Sequence, residues 1–349
     1  MNETMKAMRL YAANDYRIEE IPIPQIGESE MLVKVKCTAF CGTDIKILEG
    51  KKTKDVRYPS TTGHEISGEV CAVGPAVEGF AVGDRVAIAN VLACGKCEAC
   101  KRGHENVCMD RKAIGYEFDG GFAQYIRVPD IYINSHVLKM PDTMSYRAGA
   151  LIEPLSCCIR GQKNAGVADG RSVVVVGAGP IGLMHTGLAK AAGASFIIVI
   201  EPNDARRNMA QELGADYVYE SLGDEAREKI NELTNGYGVD IVIMAAGITG
   251  VLNDALDIIG KGGNLNLFAG FPKDVLAEID VNKIHYKEIN VNGSSAYKIE
   301  DYREAFALVA DKKFEVDRLV THAYSLDEFK LGYEMSKSGK GLKVVIEEE

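Results

Sequence analysis

The sequence has 349 residues, more than one hydrophobic core usually serves, so two domains are expected. Apolar residues make up 46% and charged residues 26%, as in an ordinary globular protein. The net charge of −10 argues against a general nucleic-acid surface, and no apolar run is long enough for a membrane span. The N-terminus lacks the apolar core of a signal peptide, which predicts a cytoplasmic protein. Nine cysteines without a secretory signal favour metal ligands or reduced thiols over disulfides.

The first third of the chain carries patterns of short strands and turns. Residues 31–37 alternate strongly, which predicts a half-buried strand, and a short helical turn is expected from Cys41. Residues 46–57 contain five basic side chains. A solvated loop is the first interpretation of that segment, and a phosphate-binding rim near a metal is the second. Strands and turns are predicted for residues 63–91 and again for residues 110–145.

A candidate metal site is carried by Gly63-His64-Glu65, which sets an imidazole beside a carboxylate. Cys41 lies twenty-two residues before Gly63. A thiolate, an imidazole and a carboxylate can hold a catalytic zinc and leave one coordination position open. Glu153 is a second candidate, because it is a lone acid in an apolar, helix-like run and would need a cationic partner such as a metal if buried.

A second metal site is predicted in a turn-rich lobe at about residues 90–110. Its four cysteines are separated by two, two and seven residues: Cys94, Cys97, Cys100 and Cys108. Four thiolates around one ion leave no open position, which is typical of a structural zinc. The alternatives are free cysteines, an iron–sulfur cluster, whose usual spacings differ, and a nucleic-acid zinc finger, which the acidic chain disfavours.

The second domain opens with an apolar strand at residues 172–176 that runs into a G-x-G-x-x-G turn and a helix. The turn contains Gly177, Gly179, Pro180, Ile181 and Gly182. Such glycines let the backbone approach a pyrophosphate at the helix N-terminus. Glu201, at the end of the next strand, is placed to bind the ribose hydroxyls, which favours NAD, although the nearby Arg206 and Arg207 leave NADP open.

Strands and helices then alternate as in a doubly wound parallel sheet. Helices are predicted at 204–213, 224–234 and 250–259, and strands at 216–219, 239–247, 263–270 and 288–295. After residue 300 an amphipathic helix at 301–312 and a strand at 342–346 are expected to return to the first domain. The predicted division is 1–152 for the catalytic domain, 153–293 for the dinucleotide-binding domain and 294–349 for the return.

In this order, these motifs resemble those of the zinc-dependent medium-chain dehydrogenases/reductases, in the branch of sorbitol, threonine and butanediol dehydrogenases. The resemblance covers essentially the full length. It implies an α/β protein with a GroES-like, β-rich catalytic domain and a Rossmann domain, a cleft holding zinc and nicotinamide, and a homodimer or homotetramer. It makes Cys41 and His64 catalytic zinc ligands and Glu65 and Glu153 carboxylates near the metal, without ranking them. It makes Thr43 the proton relay.

The same resemblance assigns Arg206 to the adenine face of the cofactor. Further cofactor contacts are implied for Ala246, Phe268, Gly270 and Ser294. The implied reaction is NAD(H)-linked oxidation of a secondary alcohol to a ketone, with zinc stabilising the alkoxide and a hydride passing to nicotinamide. The substrate would be a polyol, a diol, a sugar alcohol or its phosphate.

Two departures from the family pattern bear on the substrate. Lys46 stands where threonine and many sorbitol dehydrogenases carry a histidine, and residues 295–297 lack the arginine of sorbitol dehydrogenases. Oxidation of L-threonine at carbon 3 is the alternative activity. A zinc-free reductase and a non-catalytic dinucleotide-binding protein are two other classes. Both would have an incomplete set of catalytic zinc ligands, whereas in this sequence the set is complete.

Overall fold

The structure, a computed structural model, describes residues 3–348. Within that range the chain forms two units, one made of the residues up to Ser156 together with those from Lys298 onward, the other of Cys157–Tyr297. The boundaries predicted from the sequence lay after residues 152 and 293. No helix among the described residues has the length and apolar character needed to cross a bilayer.

The strands are β1 (Thr4–Ala12), β2 (Asp15–Pro22), β3 (Met31–Ala39), β4 (Glu65–Val73), β5 (Arg85–Ile88), β6 (Val91–Leu92), β7 (Lys112–Ala113), β8 (Tyr125–Val128), β9 (Val137–Lys139), β10 (Ser172–Val176), β11 (Phe196–Ile200), β12 (Tyr217–Tyr219), β13 (Val239–Met244), β14 (Ile259–Leu267), β15 (Asn290–Gly293), β16 (Val320–Tyr324) and β17 (Lys343–Glu347). The α-helices are α1 (Gly42–Leu48), α2 (Glu98–Lys101), α3 (Asp130–His136), α4 (Tyr146–Ala165), α5 (Pro180–Ala191), α6 (Asp204–Glu212), α7 (Asp224–Thr234), α8 (Leu252–Ile258), α9 (Val281–Lys287), α10 (Ile299–Ala310) and α11 (Phe329–Ser338).

The first unit contains a mostly antiparallel sheet in the order β16-β17-β3-β4-β5-β9, with β8 also paired to β3. Its pairing register brings the C-terminal strand to the metal-site region. Ala39 at the end of β3 pairs with Val345 of β17 on one side and with Glu65 of β4 on the other. Because side chains two residues apart on a strand share a face, Lys343 and Val345 project to the same side of the sheet.

The second unit contains a six-stranded parallel sheet in the order β12-β11-β10-β13-β14-β15. All five residues of β10 are buried, as expected of a central strand covered on both faces. Strand order reverses between β10 and β13, and in such sheets ligands bind at the carboxyl ends of the strands beside that reversal.

Two local predictions were wrong. Residues 130–136 form a helix where strands and turns were expected, because Tyr132, Ile133 and His136 are buried at helical spacing despite a β-branched and aromatic sequence. The helix predicted at 250–259 begins with a short 3-10 turn at Thr249–Val251 and ends at Ile258, and β14 starts at Ile259 rather than at residue 263.

Candidate metal centres and cofactor site

Cys41 is positioned by the first turn of α1. Its backbone N–H donates to Asp44 Oδ2 at 2.9 Å, and the Thr43 N–H donates to the Cys41 sulfur at 3.5 Å. This reciprocal capping arrangement satisfies amides at the helix N-terminus and points a donor at the thiol. Thr43 is half-buried on the same turn.

His64 is oriented by Asp44, which is completely buried. Asp44 Oδ1 lies 3.2 Å from His64 Nδ1 and 3.3 Å from the Gly63 nitrogen, which donates to it. With Nδ1 engaged by the carboxylate, Nε2 is the ring nitrogen left for a metal, an arrangement common in metal sites. Burial by itself would lower the pKa of His64, but Tyr116 and Asp44 outweigh burial and raise it well above its usual value.

Three potential metal-ligand atoms lie within 4.8 Å of one another, one each from Cys41, His64 and Glu65. This set of a thiol, an imidazole and a carboxylate suits zinc and fits the predicted catalytic centre. Glu153 is not a member of this group, although it is buried on α4 and feels the charges of His64 and Lys343. Burial raises the pKa of Glu153 above its usual value, and His64 and Lys343 oppose that rise.

Lys343 is a buried partner that sequence reasoning missed. Its Nζ donates to Glu65 Oε1 at 2.6 Å, to Glu65 Oε2, and to the Phe40 carbonyl at 3.2 Å. Burial opposes its charge, but Glu65 and Cys41 outweigh burial and raise the pKa of Lys343. Burial raises the pKa of Glu65. The Lys343 charge acts to lower that pKa, and the Glu153 charge acts to raise it further. The pairing depends on β17 lying against β3, and no local motif signals it.

Tyr116 packs beside the candidate centre and was not singled out from the sequence. Its ring centroid lies 5.4 Å from that of His64, with the ring planes at 40°. Burial raises the pKa of the Tyr116 hydroxyl well above its usual value. The tyrosine therefore forms a neutral wall next to the imidazole.

The four lobe cysteines converge as predicted for a closed site. Their sulfur atoms all lie within 4.8 Å of one another, with Cys97 Sγ 3.5 Å from Cys100 Sγ and 3.8 Å from Cys108 Sγ. A tetrahedron with Zn–S bonds of about 2.3 Å has S–S edges of about 3.8 Å, so the spacing fits zinc. Backbone N–H groups, among them those of Met109 and Cys100, lower the pKa of Cys97 to about 6. Cys94 receives the Cys97 N–H at 3.4 Å.

The glycine-rich turn joins β10 to α5 at the carboxyl end of the parallel sheet. A Cβ on Gly182 would lie 1.8 Å from the Gly177 carbonyl oxygen, and Gly177 has a φ of +97°. Neither position tolerates a side chain without moving the backbone. Nothing lies within 4 Å of a Cβ built on Gly179, so the turn presents open backbone there. Pro180 occupies the first position of α5, with Ile181 after it.

Glu201 is buried at the end of β11 and ties the turn to the next strand. Its Oε2 accepts the Ala178 N–H at 2.7 Å and its Oε1 accepts the Asn203 N–H at 3.0 Å. Each carboxylate oxygen keeps a second lone pair for a ligand. Arg206 lies half-buried in the first turn of α6, where its N–H donates to Asn203 Oδ1 at 3.1 Å.

The remaining predicted cofactor residues follow the ends of β13, β14 and β15. Ala246 packs against the glycine turn, since a Cβ on Gly177 would meet the Ala246 Cβ at 2.8 Å. The Phe268 amide donates to the Met244 carbonyl at 3.2 Å, and Gly270 follows two residues later. Ser294 Oγ accepts Asn266 Nδ2 at 2.9 Å and Asn164 Nδ2 at 3.0 Å. These residues are thus collected at the same edge of the sheet as the glycine turn.

Taken together, the β-rich unit with its two thiol-containing metal-ligand groups and the Rossmann-ordered sheet define a zinc-dependent dehydrogenase. The alcohol dehydrogenase GroES-like domain family matches residues 27–142, and the zinc-binding dehydrogenase family matches residues 180–311. The chain belongs to the zinc-dependent medium-chain dehydrogenases, oxidoreductases that use zinc and a nicotinamide dinucleotide. This confirms the resemblance and the fold class predicted from the sequence.

Among curated relatives, L-threonine 3-dehydrogenase from Pyrococcus furiosus is 35% identical over 99% of both chains. Sorbitol dehydrogenase from Halalkalibacterium halodurans is 35% identical over 96% of both. D-arabitol-phosphate dehydrogenase from Enterococcus avium is 32% identical over 99% of this chain and 98% of its own.

Solved structures give the same picture of the fold. 2R,3R-Butanediol dehydrogenase from Bacillus subtilis has a TM-score of 0.88 and 31% identity, covering 99% of this chain and 100% of its own. A zinc-binding dehydrogenase structure from Sinorhizobium meliloti 1021, bound to NADP, has a TM-score of 0.90 and 31% identity, with 99% of both chains covered.

Proposed function

We propose that the protein oxidises a secondary alcohol of a polyol or diol to the ketone, reversibly, with NAD as hydride acceptor. The observation that carries this proposal is the group of half-buried Cys41 and buried His64 and Glu65, whose ligand atoms lie within 4.8 Å of one another. A zinc-free reductase or a non-catalytic dinucleotide-binding protein would have no use for such a set. When bound, the zinc supplies Lewis acidity toward the alcohol oxygen and the dinucleotide takes the hydride.

The ligands proposed for the catalytic zinc are Cys41, His64 and the two nearby carboxylates. Cys41 and His64 are the fixed members, because helix capping and Asp44 respectively hold them in place. Both oxygens of Glu65 already contact Lys343. Because only Glu65 among the described residues places a carboxylate oxygen within 4.8 Å of the ligand atoms of Cys41 and His64, we assign the main carboxylate ligation to Glu65, with Lys343 bonded to the same group, and an exchangeable position to Glu153.

Thr43 is the proposed first acceptor of the alcohol proton. It is half-buried two residues after Cys41, on the same first turn of a helix whose start is held by hydrogen bonds. A hydroxyl can accept one proton while donating its own, so it can pass a proton outward without becoming charged. Asp44 is proposed to accept the Nδ1 proton of His64, which leaves Nε2 free for the metal.

The cofactor is proposed to bind along the turn at Gly177–Gly182, with its pyrophosphate at the start of α5. Glu201 is the proposed ligand of the adenosine ribose. Its carboxylate is buried and negatively charged, so a 2′-phosphate there would be repelled, which favours NAD over NADP. The lobe cysteines Cys94, Cys97, Cys100 and Cys108 are proposed to hold the structural zinc.

Polyols and diols are favoured as substrates over L-threonine, the second candidate that the 35%-identical relative supports. Lys46, which stands where threonine dehydrogenases carry a relay histidine, is exposed on α1. Phosphorylated sugar alcohols belong to the same proposal, as in the relative that acts on D-arabitol phosphate.

A homodimer or homotetramer in the cytoplasm is also proposed. Among the described residues β15 is an edge strand of the second unit's sheet, and exposed apolar side chains lie on it and just before it, with Val291 39% and Tyr286 75% exposed. Such edges are usually covered. None of the nine cysteines, all within the described residues, forms a disulfide, as suits a reducing compartment. Light scattering of the zinc-loaded protein measures the assembly.

The deciding experiment is an NAD-reduction screen over diols, polyols, their phosphate esters and L-threonine, repeated with NADP. Cys41→Ser is run beside the wild type. It should abolish turnover while NAD binding and thermal stability stay close to those of the wild type. Turnover that survives this change would refute the zinc mechanism, and a strong preference for L-threonine would replace the polyol assignment.

A further inference from the structure

Lys52 differs from the other basic side chains of the segment 46–57 in having a half-buried position without an acidic partner. Arg57 pairs with Asp119 at 3.0 Å, and Lys51 pairs with Glu49 at 2.8 Å. Within residues 3–348 no carboxylate lies within ion-pair distance of the Lys52 ammonium, which donates instead to the Lys54 carbonyl at 2.8 Å. A solvated loop, the first interpretation of this segment, does not explain a half-buried ammonium.

The Lys52 ammonium is one aromatic ring away from the candidate metal centre. Its Nζ lies 4.7 Å from the centroid of the Tyr116 ring, and that ring lies 5.4 Å from the His64 ring. The Lys52 backbone is also fixed, because its N–H donates to the Lys46 carbonyl at 3.0 Å. Helix α1 therefore carries Cys41 at its start and holds Lys52 at its end, so the thiol and the ammonium are set by one element.

The charges around Lys52 suit an anion. Burial lowers the pKa of Lys52, Arg111 and Lys54 act in the same direction, and Asp55 and Glu117 oppose them. Three cations thus gather against two carboxylates, and neither carboxylate is within ion-pair distance of Lys52. A bound anion would replace part of the hydration that the ammonium has lost.

We propose that Lys52 and Tyr116 form the outer end of the alcohol site, and that Lys52 binds a phosphate monoester carried by the substrate. The preferred substrate is then a polyol phosphate, with its oxidised carbon at the metal centre and its phosphate at Lys52. This inference rests on the proposed function, which it narrows to a substrate class. A lysine is a compact cation with three donors that suits a phosphate. The Tyr116 ring contacts both the Lys52 ammonium and the His64 ring, so it links the two ends.

The test compares each polyol with its own phosphate ester, in the zinc-loaded, full-length protein. Wild type, Lys52→Met and Lys51→Met are assayed for kcat/KM with galactitol and galactitol 1-phosphate. Lys51 is the matched control, because it is an exposed lysine of the same segment whose ammonium pairs with Glu49. Wild type should prefer the phosphate ester by at least ~10-fold, and Lys52→Met should lose ~10- to 100-fold on that ester alone. Lys51→Met should change either value by less than about 3-fold.

Binding without turnover gives an independent readout. Galactitol 1-phosphate, added without cofactor, should raise the melting temperature of wild type and of Lys51→Met but not of Lys52→Met. Unliganded melting temperatures that agree among the three proteins show that the substitutions leave the fold intact.

Three results would overturn the inference: equal use of the two galactitol forms by wild type, equal losses on both forms in Lys52→Met, or the same loss in Lys51→Met. The two proposals fail separately. Oxidation of free polyols without a preference for the phosphate ester would refute the inference and would still support the proposed function. Lys52-dependent binding of the ester without oxidation of any alcohol supports the anion site and removes the proposed function.

Discussion

Acid should destabilise the second unit through His185, a histidine buried in the middle of α5. None of its side chain is exposed, and neither ring nitrogen has a hydrogen-bond partner among the described residues. The ring instead contacts Phe268 edge-on, with centroids 4.5 Å apart. Burial lowers the pKa of His185 to about 3, whereas an unfolded histidine titrates near 6.5. Between about pH 3 and pH 6.5, His185 therefore binds a proton in the unfolded state but not in the folded state.

The sign and size follow from that difference. The contribution of His185 to stability is complete above pH 6.5, and it is lost progressively as the pH falls from 6.5 toward 3, because the unfolded state then binds more protons. Between pH 7 and pH 5 the loss amounts to about 2 kcal/mol from this one side chain. Such a loss is a large part of the free energy of unfolding of an ordinary domain.

The assay is urea unfolding of wild type and His185→Leu at pH 8, 7, 6 and 5, followed by circular dichroism. The transition of the second unit is the one that added NAD moves to higher urea. His185→Leu should lose about 2 kcal/mol less than wild type between pH 7 and pH 5, whatever its stability at pH 8. His285→Gln, at an exposed histidine of the same unit, is the control. Parallel curves for wild type and His185→Leu would show that the ring takes up its proton without unfolding.

Four further tests address the two centres and the cofactor site. Glu65→Gln should release the catalytic zinc to a chelator sooner than Glu153→Gln does, because only Glu65 of the two places a carboxylate oxygen within 4.8 Å of the ligand atoms of Cys41 and His64. Zinc content after dialysis is the measurement, and the reverse order would make Glu153 the main ligand. Lys343→Met leaves a buried carboxylate unpaired and should destabilise the first unit by about 3–5 kcal/mol, whereas Lys343→Arg should retain most of the stability. A loss below about 1 kcal/mol in urea unfolding would mean that water reaches the pair. Cys97→Ser should lower zinc content from two ions to one per chain and lower the melting temperature, whereas unchanged stability would remove the structural role of the lobe. Glu201→Ser should raise KM for NAD at least ~10-fold and shift preference toward NADP, and an unchanged ratio of the two kcat/KM values would contradict the ribose contact.

The parts of the fold that the sequence predicted well are those whose cause is local. The turn at Gly177–Gly182 needs glycines because a Cβ on Gly182 would collide with the Gly177 carbonyl. The glycine motif in the sequence is therefore a direct consequence of the backbone shape. The four lobe cysteines lie within fifteen residues of chain, and their spacing alone brings the sulfurs together. Helix α3 was missed because burial at helical spacing overrode a β-favouring composition, which only tertiary contacts decide.

Lys343 shows the opposite case, in which a side chain essential to the centre has no local signature. It lies 278 residues from Glu65 and meets it only because β17 joins the sheet beside β3. From the sequence, a metal ion was the expected cationic partner of a buried acid near residue 153. With a zinc bound, Cys41, Asp44, Glu65 and Glu153 would bring up to four negative charges against the two positive charges of the ion. Lys343, which interacts with Cys41, Glu65 and Glu153, adds one positive charge. Pairing lowers the cost of burying a carboxylate, so the lysine helps to explain how the chain can place two carboxylates near one zinc site.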